Sequence, residues 1–285
     1  MRQISVLGGN GVRLVADAYG DASAPSVLLL HGGGQTRHSW RNTAQDLADA
    51  GFYAVSADHR GHGDSGWDPN GQYDWPYFRS DVEAWCVELG SPAVVGASLG
   101  GMAALVTAGG RIEDGLDPGM SAIVLVDIAP KVEIEGSNRI VDFMAARPEG
   151  FASLEEAADV IAEYLPHRPR PKDTSGLAKN LRLHEDGRYR WHWDPAWITD
   201  IESRRAARHE GRFADYARLL NFATLLVRGR QSDLLSEDGA RDFLELAPHS
   251  EYVDVAGAGH MVAGDKNDAF TNAVIEFLQR RHAGR

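Results

Sequence analysis

Ser98 stands in Gly96-Ala97-Ser98-Leu99-Gly100, directly after the apolar run Ala93-Val94-Val95 and before the helical pattern that starts at Gly101-Met102-Ala103-Ala104. A serine on a sharp turn from strand to helix is strained and exposed, and flanking glycines leave room for close backbone approach. The helix N-terminus beneath it carries partial positive charge and unpaired N–H groups, which suit a developing anion. A serine hydroxyl is a weak nucleophile at neutral pH. It needs a base to take its proton and a carboxylate to orient that base. His260 follows the last strand pattern in Gly257-Ala258-Gly259-His260, and Asp233 follows the preceding one in Arg228-Gly229-Arg230-Gln231-Ser232-Asp233. Asp127, at the end of Ala122-Ile123-Val124-Leu125-Val126, is the alternative acid. The chemistry such a set performs is acyl transfer.

The elements that must hold these residues alternate between strand and helix. Val27-Leu28-Leu29-Leu30, Tyr53 to Ala57, Ala93-Val94-Val95, Ala122 to Asp127, Ala223 to Gly229 and Glu251 to Val255 read as strands, and helical patterns separate them. Short continuous apolar runs suit strands covered on both faces of a parallel sheet. Alternation of this kind implies βαβ units and a fold of α/β class, in which ligands bind beyond the carboxyl ends of the strands. His31, Gly33, Asp58, Ser98 and Asp127 all fall at those ends. Residues 3–7 and 12–18, joined by Gly8-Gly9-Asn10-Gly11, predict an N-terminal hairpin. The rhythm stops after Pro130. Ser153-Leu154-Glu155-Glu156 is a capping box, Pro166, Pro169 and Pro171 impose an extended linker, and Asp200 to Gly211 is a charged helical stretch. The expected division is a core domain of residues 1–130 and 222–285, with residues 131–221 inserted as a mainly helical lid, or cap.

Composition narrows the function. The chain has 285 residues, 43% of them hydrophobic and 25% charged, and a net charge of −12. With no basic run, nucleic acid and anionic membranes are poor partners. No apolar stretch approaches the length of a membrane span, and the N-terminus lacks a signal-peptide core, so a cytoplasmic setting is the default. The lone cysteine, Cys86, lies at helical spacing with Val82, Trp85 and Leu89, as a core thiol would. Gly61-x-Gly63-x-x-Gly66 follows a strand like a dinucleotide fingerprint, but Asp68-Pro69-Asn70-Gly71 after it is turn chemistry rather than a helix start. His59, His62 and Asp64 have ligand-like spacing without a second cluster to complete a metal site.

Taken together, His31-Gly32-Gly33-Gly34, Asp58-His59-Arg60-Gly61-His62-Gly63-Asp64-Ser65, Gly96 to Gly100, Gly229 to Asp233 and Gly259-His260 resemble the α/β-hydrolase superfamily across the whole chain. They are most similar to its branch of small bacterial esterases, cofactor-free perhydrolases, lactonases and C–C bond hydrolases. The order Ser98, Asp233, His260 matches that superfamily's triad order. The resemblance implies an acyl-enzyme at Ser98, His260 as base, Asp233 as orienting acid, no cofactor and no metal. It implies an oxyanion hole from the N–H groups of Leu99 and Gly33, with Gly34 as the alternative. The expected substrate is a small, largely apolar ester or lactone. C–C cleavage and acyl transfer to peroxide use the same residues, and C–C cleavage would draw on cap arginines such as Arg188 or Arg190. A non-catalytic ligand receptor is the rival from another class. Trp40, Trp191, Trp193 and Trp197 could line an apolar pocket or simply pack in the core. Arg37 and His38 read as the start of a surface helix. Oligomeric state leaves no mark on the sequence.

Overall fold

The structure, a computed structural model, describes residues 1–164, 170, 172–199, 210–259 and 267–282. Eight strands form one sheet: β1 (Arg2–Leu7), β2 (Arg13–Tyr19), β3 (Ser26–Leu30), β4 (Tyr53–Ala57), β5 (Ala93–Ala97), β6 (Ala122–Val126), β9 (Ala223–Gly229) and β10 (Glu251–Val255). Their spatial order is β1-β2-β4-β3-β5-β6-β9-β10. β1 and β2 form the expected antiparallel hairpin, β2 runs antiparallel to β4, and every pairing from β4 onward is parallel. β3, β5 and β6 are thus central neighbours, and their carboxyl ends lie side by side.

Side chains alternate between two apolar layers, as the two-residue period of a strand requires. Leu28, Leu30, Val94, Ile123, Leu125 and Leu226 face one layer, completed by α2 (Trp75–Leu89) and α3 (Leu99–Glu113). Val27, Leu29, Val95, Val124, Leu225 and Val227 face the other, completed by α1 (Arg41–Asp49) and by α8 (Asn267–His282), the helix that follows α7 (Glu237–Leu246) in the chain. Covering both faces accounts for the unbroken apolar runs. Cys86 is buried as expected, and burial pushes its thiol up to about 12. Among the described residues, no helix is long and apolar enough to cross a membrane.

Between β6 and β9 lie α4 (Ile134–Ala145), α5 (Leu154–Tyr164), a small hairpin of β7 (Leu181–Leu183) and β8 (Tyr189–Trp191), a helical turn over residues 195–199, and α6 (Glu210–Leu219). The charged stretch over residues 200–209 and the prolines Pro166, Pro169 and Pro171 lie outside the described residues. α6 packs on α3: a β-carbon on Gly109 would lie 2.4 Å from Tyr216 Cβ. Glycine at this contact lets α6 join the core layer.

The tightest packing is where β5 turns into α3. A β-carbon on Gly100 would lie 2.4 Å from the Leu30 carbonyl oxygen, and one on Gly96 would lie 2.4 Å from the Gly100 carbonyl. Overpacking against backbone has no flexible side chain to relax it. We therefore expect Gly100→Ala to lose roughly 1–3 kcal/mol or more in urea unfolding. Gly176→Ala, with no atom within 4 Å of its new β-carbon, should stay within about 0.5 kcal/mol of wild type.

Candidate active site

At the turn between β5 and α3, Ser98 has φ 48° and ψ −112°. A positive φ is uncommon for serine and costs on the order of 1–3 kcal/mol unless the surroundings impose it. Here they do. Gly96, Gly100 and Gly101 let strand, helix and the end of β3 meet without side chains between them, and the Ser98 N–H donates to the Val126 carbonyl at 3.2 Å. Ser98 is half-buried, so one side of it stays open. Leu99 is the first residue of α3, so its N–H has no acceptor in a preceding helical turn.

The loop after β3 comes up beside the serine. A β-carbon on Gly32 would lie 3.4 Å from Ser98 Cβ. Residues 32–35 form a turn, closed by the Gln35 N–H donating to the Gly32 carbonyl at 3.1 Å, with Gly34 at φ +73°. Glycine is required at this third position because positive φ there is strained for other residues. The sequence left open which glycine N–H faces an anion. The Gly32 N–H donates to Gln35 Oε1 at 3.1 Å, and the Gly34 N–H donates to His62 Nε2 at 3.2 Å. Of the three, only the Gly33 N–H meets no acceptor among the described residues.

The two candidate acids sit in opposite environments. Asp127 is fully buried at the end of β6, with φ 51°. Its carboxylate accepts from the Gly229 N–H at 2.8 Å and from the Ser232 hydroxyl at 2.5 Å. It directly follows Val126, whose carbonyl holds the Ser98 N–H. Asp233 is exposed, its carboxylate pairs with Arg139 at 3.0 Å, and its carbonyl oxygen sits against Gly136 of α4. Asp127 thus lies one residue from the carbonyl that holds the Ser98 N–H, whereas Asp233 sits at the surface. The order of residues along the chain points to Asp233, and it cannot show that Ser232 reaches back to β6. His260 lies outside the described residues.

The aromatic residues divide as well. Trp197 covers Gly33, where a β-carbon would lie 2.9 Å from its ring, and Met144 and Trp193 cover Gly34. Trp191 stacks on Trp193, with ring centroids 4.8 Å apart. Trp40 packs against Phe270 in the α1/α8 layer on the far face, away from these groups. Arg37 is not on the surface: it is 5% exposed, and its guanidinium pairs with Asp17, Asp58 and Asp64. Burial pushes the Asp58 carboxyl upward, opposed chiefly by the Arg37 charge.

His31, His59, His62 and His192 are all buried, and the rings of His31, His59 and His62 lie within 6.3 Å of one another. Each binds backbone. His31 Nδ1 donates to the Gly32 carbonyl and its Nε2 accepts the His59 N–H. His59 Nε2 donates to the His31 carbonyl. Burial lowers all four, His62 to about 4, His59 to about 3, and His31 and His192 well below the usual imidazole range. Among the described residues, His59 and His62 thus engage backbone. No sequence signal marked His192.

The family model described as alpha/beta hydrolase fold matches residues 25–266. Esterase Rv0045c of Mycobacterium tuberculosis is 29% identical over 271 residues, covering 91% of this chain and 84% of the relative. The sn-1-specific diacylglycerol lipase ABHD11 of Mus musculus is 26% identical, covering 91% and 82%. Among solved structures, E-2-(acetamidomethylene)succinate hydrolase superposes with a TM-score of 0.80 at 22% identity, covering 98% of this chain and 100% of that one, a likeness of fold.

Folded-state values below the free imidazole value of 6.5 mean that the unfolded chain binds more protons under acid conditions. Stability should hold above pH 6.5 and fall as pH drops from there toward about 4, where His62 itself titrates. Each such histidine adds up to ~1.4 kcal/mol per pH unit to the slope. Urea midpoints measured from pH 8 to pH 4.5 check this, and a midpoint constant down to pH 5 would contradict it.

Proposed function

Because the chain belongs to the alpha/beta hydrolase fold family, we propose that it cleaves a carboxylic ester or lactone through an acyl-enzyme on Ser98. The observation that carries this reading is Ser98 itself: a half-buried serine at positive φ on the strand-to-helix turn, beside the glycine turn at Gly32. In this reading Ser98 Oγ attacks the carbonyl carbon, and His260 takes its proton. The oxyanion that forms accepts from the Gly33 and Leu99 N–H groups, each donor being worth on the order of 3 kcal/mol. His260 returns the proton to the leaving alcohol, and water releases the acyl group by the same route.

The orienting acid in this account is Asp127. Its burial and its two fixed donors keep the carboxylate in one place, as a group that steadies an imidazolium must be. Asp233 spends its charge on Arg139 at the surface. The two relatives that span most of the chain carry the names esterase and diacylglycerol lipase, which supports ester cleavage. Met144, Trp193 and Trp197 around the glycine turn support an apolar acyl group. Residues from α4 to the turn at 195–199 act as the cap over it, with α6 belonging to the core. Cleavage of a C–C bond in a carboxylated substrate would need a free cation. Arg188 donates to the Glu149 and Gly150 carbonyls and Arg190 pairs with Asp186, which favours the ester.

Asp127→Asn should lower turnover of p-nitrophenyl acetate by roughly 10⁴-fold, since an asparagine holds the wrong imidazole tautomer. Asp233→Asn should stay within about threefold of wild type, as expected of an exposed ion pair. The reverse ranking would return the acid to Asp233.

A further inference from the structure

His62 and His192 hold the two ends of one residue in the glycine turn. His62 Nε2 accepts the Gly34 N–H at 3.2 Å, and His192 Nε2 lies 3.3 Å from the Gly34 carbonyl. The tautomers follow from the other ring nitrogens. His62 Nδ1 faces the Arg60 carbonyl at 3.0 Å and must donate, leaving Nε2 as acceptor. His192 Nδ1 accepts the Gly63 N–H at 2.8 Å, so its Nε2 carries the proton and donates to Gly34. Both rings are buried and uncharged, at 0% and 1% exposure.

These histidines come from different parts of the chain. His62 belongs to the loop after β4, whereas His192 directly follows β8, between β6 and β9. The segment bearing His192 is anchored to the same core loop at three further points. Arg182 reaches the Gly63 carbonyl and Asp64, the Asp194 N–H donates to the Gly61 carbonyl, and the Tyr73 hydroxyl donates to Asp194 at 2.6 Å. The edge of His62 meets the Trp197 ring, which itself covers Gly33.

We propose that His192 is a positioning residue: with His62 it clamps the Gly34 peptide and so aims the neighbouring Gly33 N–H at the oxyanion. The proposal rests on the ester-cleaving reading above. A glycine pair in a turn has little conformational preference of its own, and a donor helps only when it is fixed where the charge develops. Hydrogen bonds to both faces of Gly34 remove that freedom. Part of the oxyanion hole's rigidity thereby comes from a segment that no catalytic residue occupies.

The test compares His192→Phe, which keeps a ring but neither hydrogen bond, with His192→Gln, whose amide N–H₂ can still donate to Gly34. Each is assayed for p-nitrophenyl ester turnover and for inhibition by phenylboronic acid, which forms a tetrahedral adduct on an active-site serine. His192→Phe should lose about 10- to 100-fold in kcat with KM within about threefold, and the boronate should weaken by a similar factor. His192→Gln should recover most of both. Folded His192→Phe with wild-type kcat and boronate affinity would overturn the clamp, as would equal losses in the Phe and Gln variants. Should His192→Phe not fold, His192→Asn, which can keep the Gly63 contact and loses the Gly34 one, is judged on the same criteria. Fluorophosphonate labelling of the wild-type protein separates the two levels. Without an adduct at Ser98 the hydrolase reading fails and the clamp with it. With an adduct and ester turnover, an unaffected His192→Phe removes the clamp alone.

Discussion

Three backbone segments meet at one point with almost no side chain between them. The end of β3 offers the Leu30 carbonyl, Gly96 lies near the end of β5, and Gly100 and Gly101 lie in the first turn of α3. Any β-carbon at Gly96 or Gly100 would fall 2.4 Å from backbone. That contact forces the chain to reverse within a residue or two, and Ser98 takes up the strain at φ 48°. Lifting a serine out of the sheet in this way exposes it beside helix N–H groups, which are electrostatically ready for an anion. The rest of the site is arranged around that contact, on the carboxyl edges of β3 and β6, the strands adjacent to β5.

Each flank of the serine is held by buried polar groups that satisfy one another. On the β6 side, Asp127 is fixed by the Gly229 N–H and the Ser232 hydroxyl, both from the end of β9. On the β3 side, the glycine turn is fixed by Gln35, His62 and His192. Behind it, Arg37 is neutralised by Asp17, Asp58 and Asp64. Buried polar groups are costly unless paired, and once paired they specify a single arrangement. A site assembled from flexible glycines gains its rigidity from this second layer.

Most of the fold could be read from the sequence, because apolar runs of strand length separated by helical patterns leave few alternatives to a parallel sheet. The strand-to-helix turn at Ser98 was legible for the same reason: its motif and its flanking elements agree. The acid was not. Asp233 occupies the expected place along the chain, but choosing between it and Asp127 depends on a hydroxyl contact spanning 105 residues. The signal available was positional, since Asp127 ends the strand next to the nucleophile strand. Arg37 reads as the start of a surface helix and Trp40 stays open between pocket and core, because local pattern does not reveal which layer a short helix enters. The role of His192 depends wholly on tertiary contact. The packing of α6 on α3 through Gly109 is likewise a contact between distant segments.

The proposed reaction passes through a covalent intermediate at Ser98. Mixing the protein with a p-nitrophenyl ester, quenching in acid within milliseconds and mapping the peptides by mass spectrometry tests it directly. An acyl mass on the peptide containing Ser98, appearing with the nitrophenolate burst and absent from Ser98→Ala, is the predicted result. Nitrophenolate release that persists at the wild-type rate in Ser98→Ala, with no acyl mass on that peptide, would contradict it.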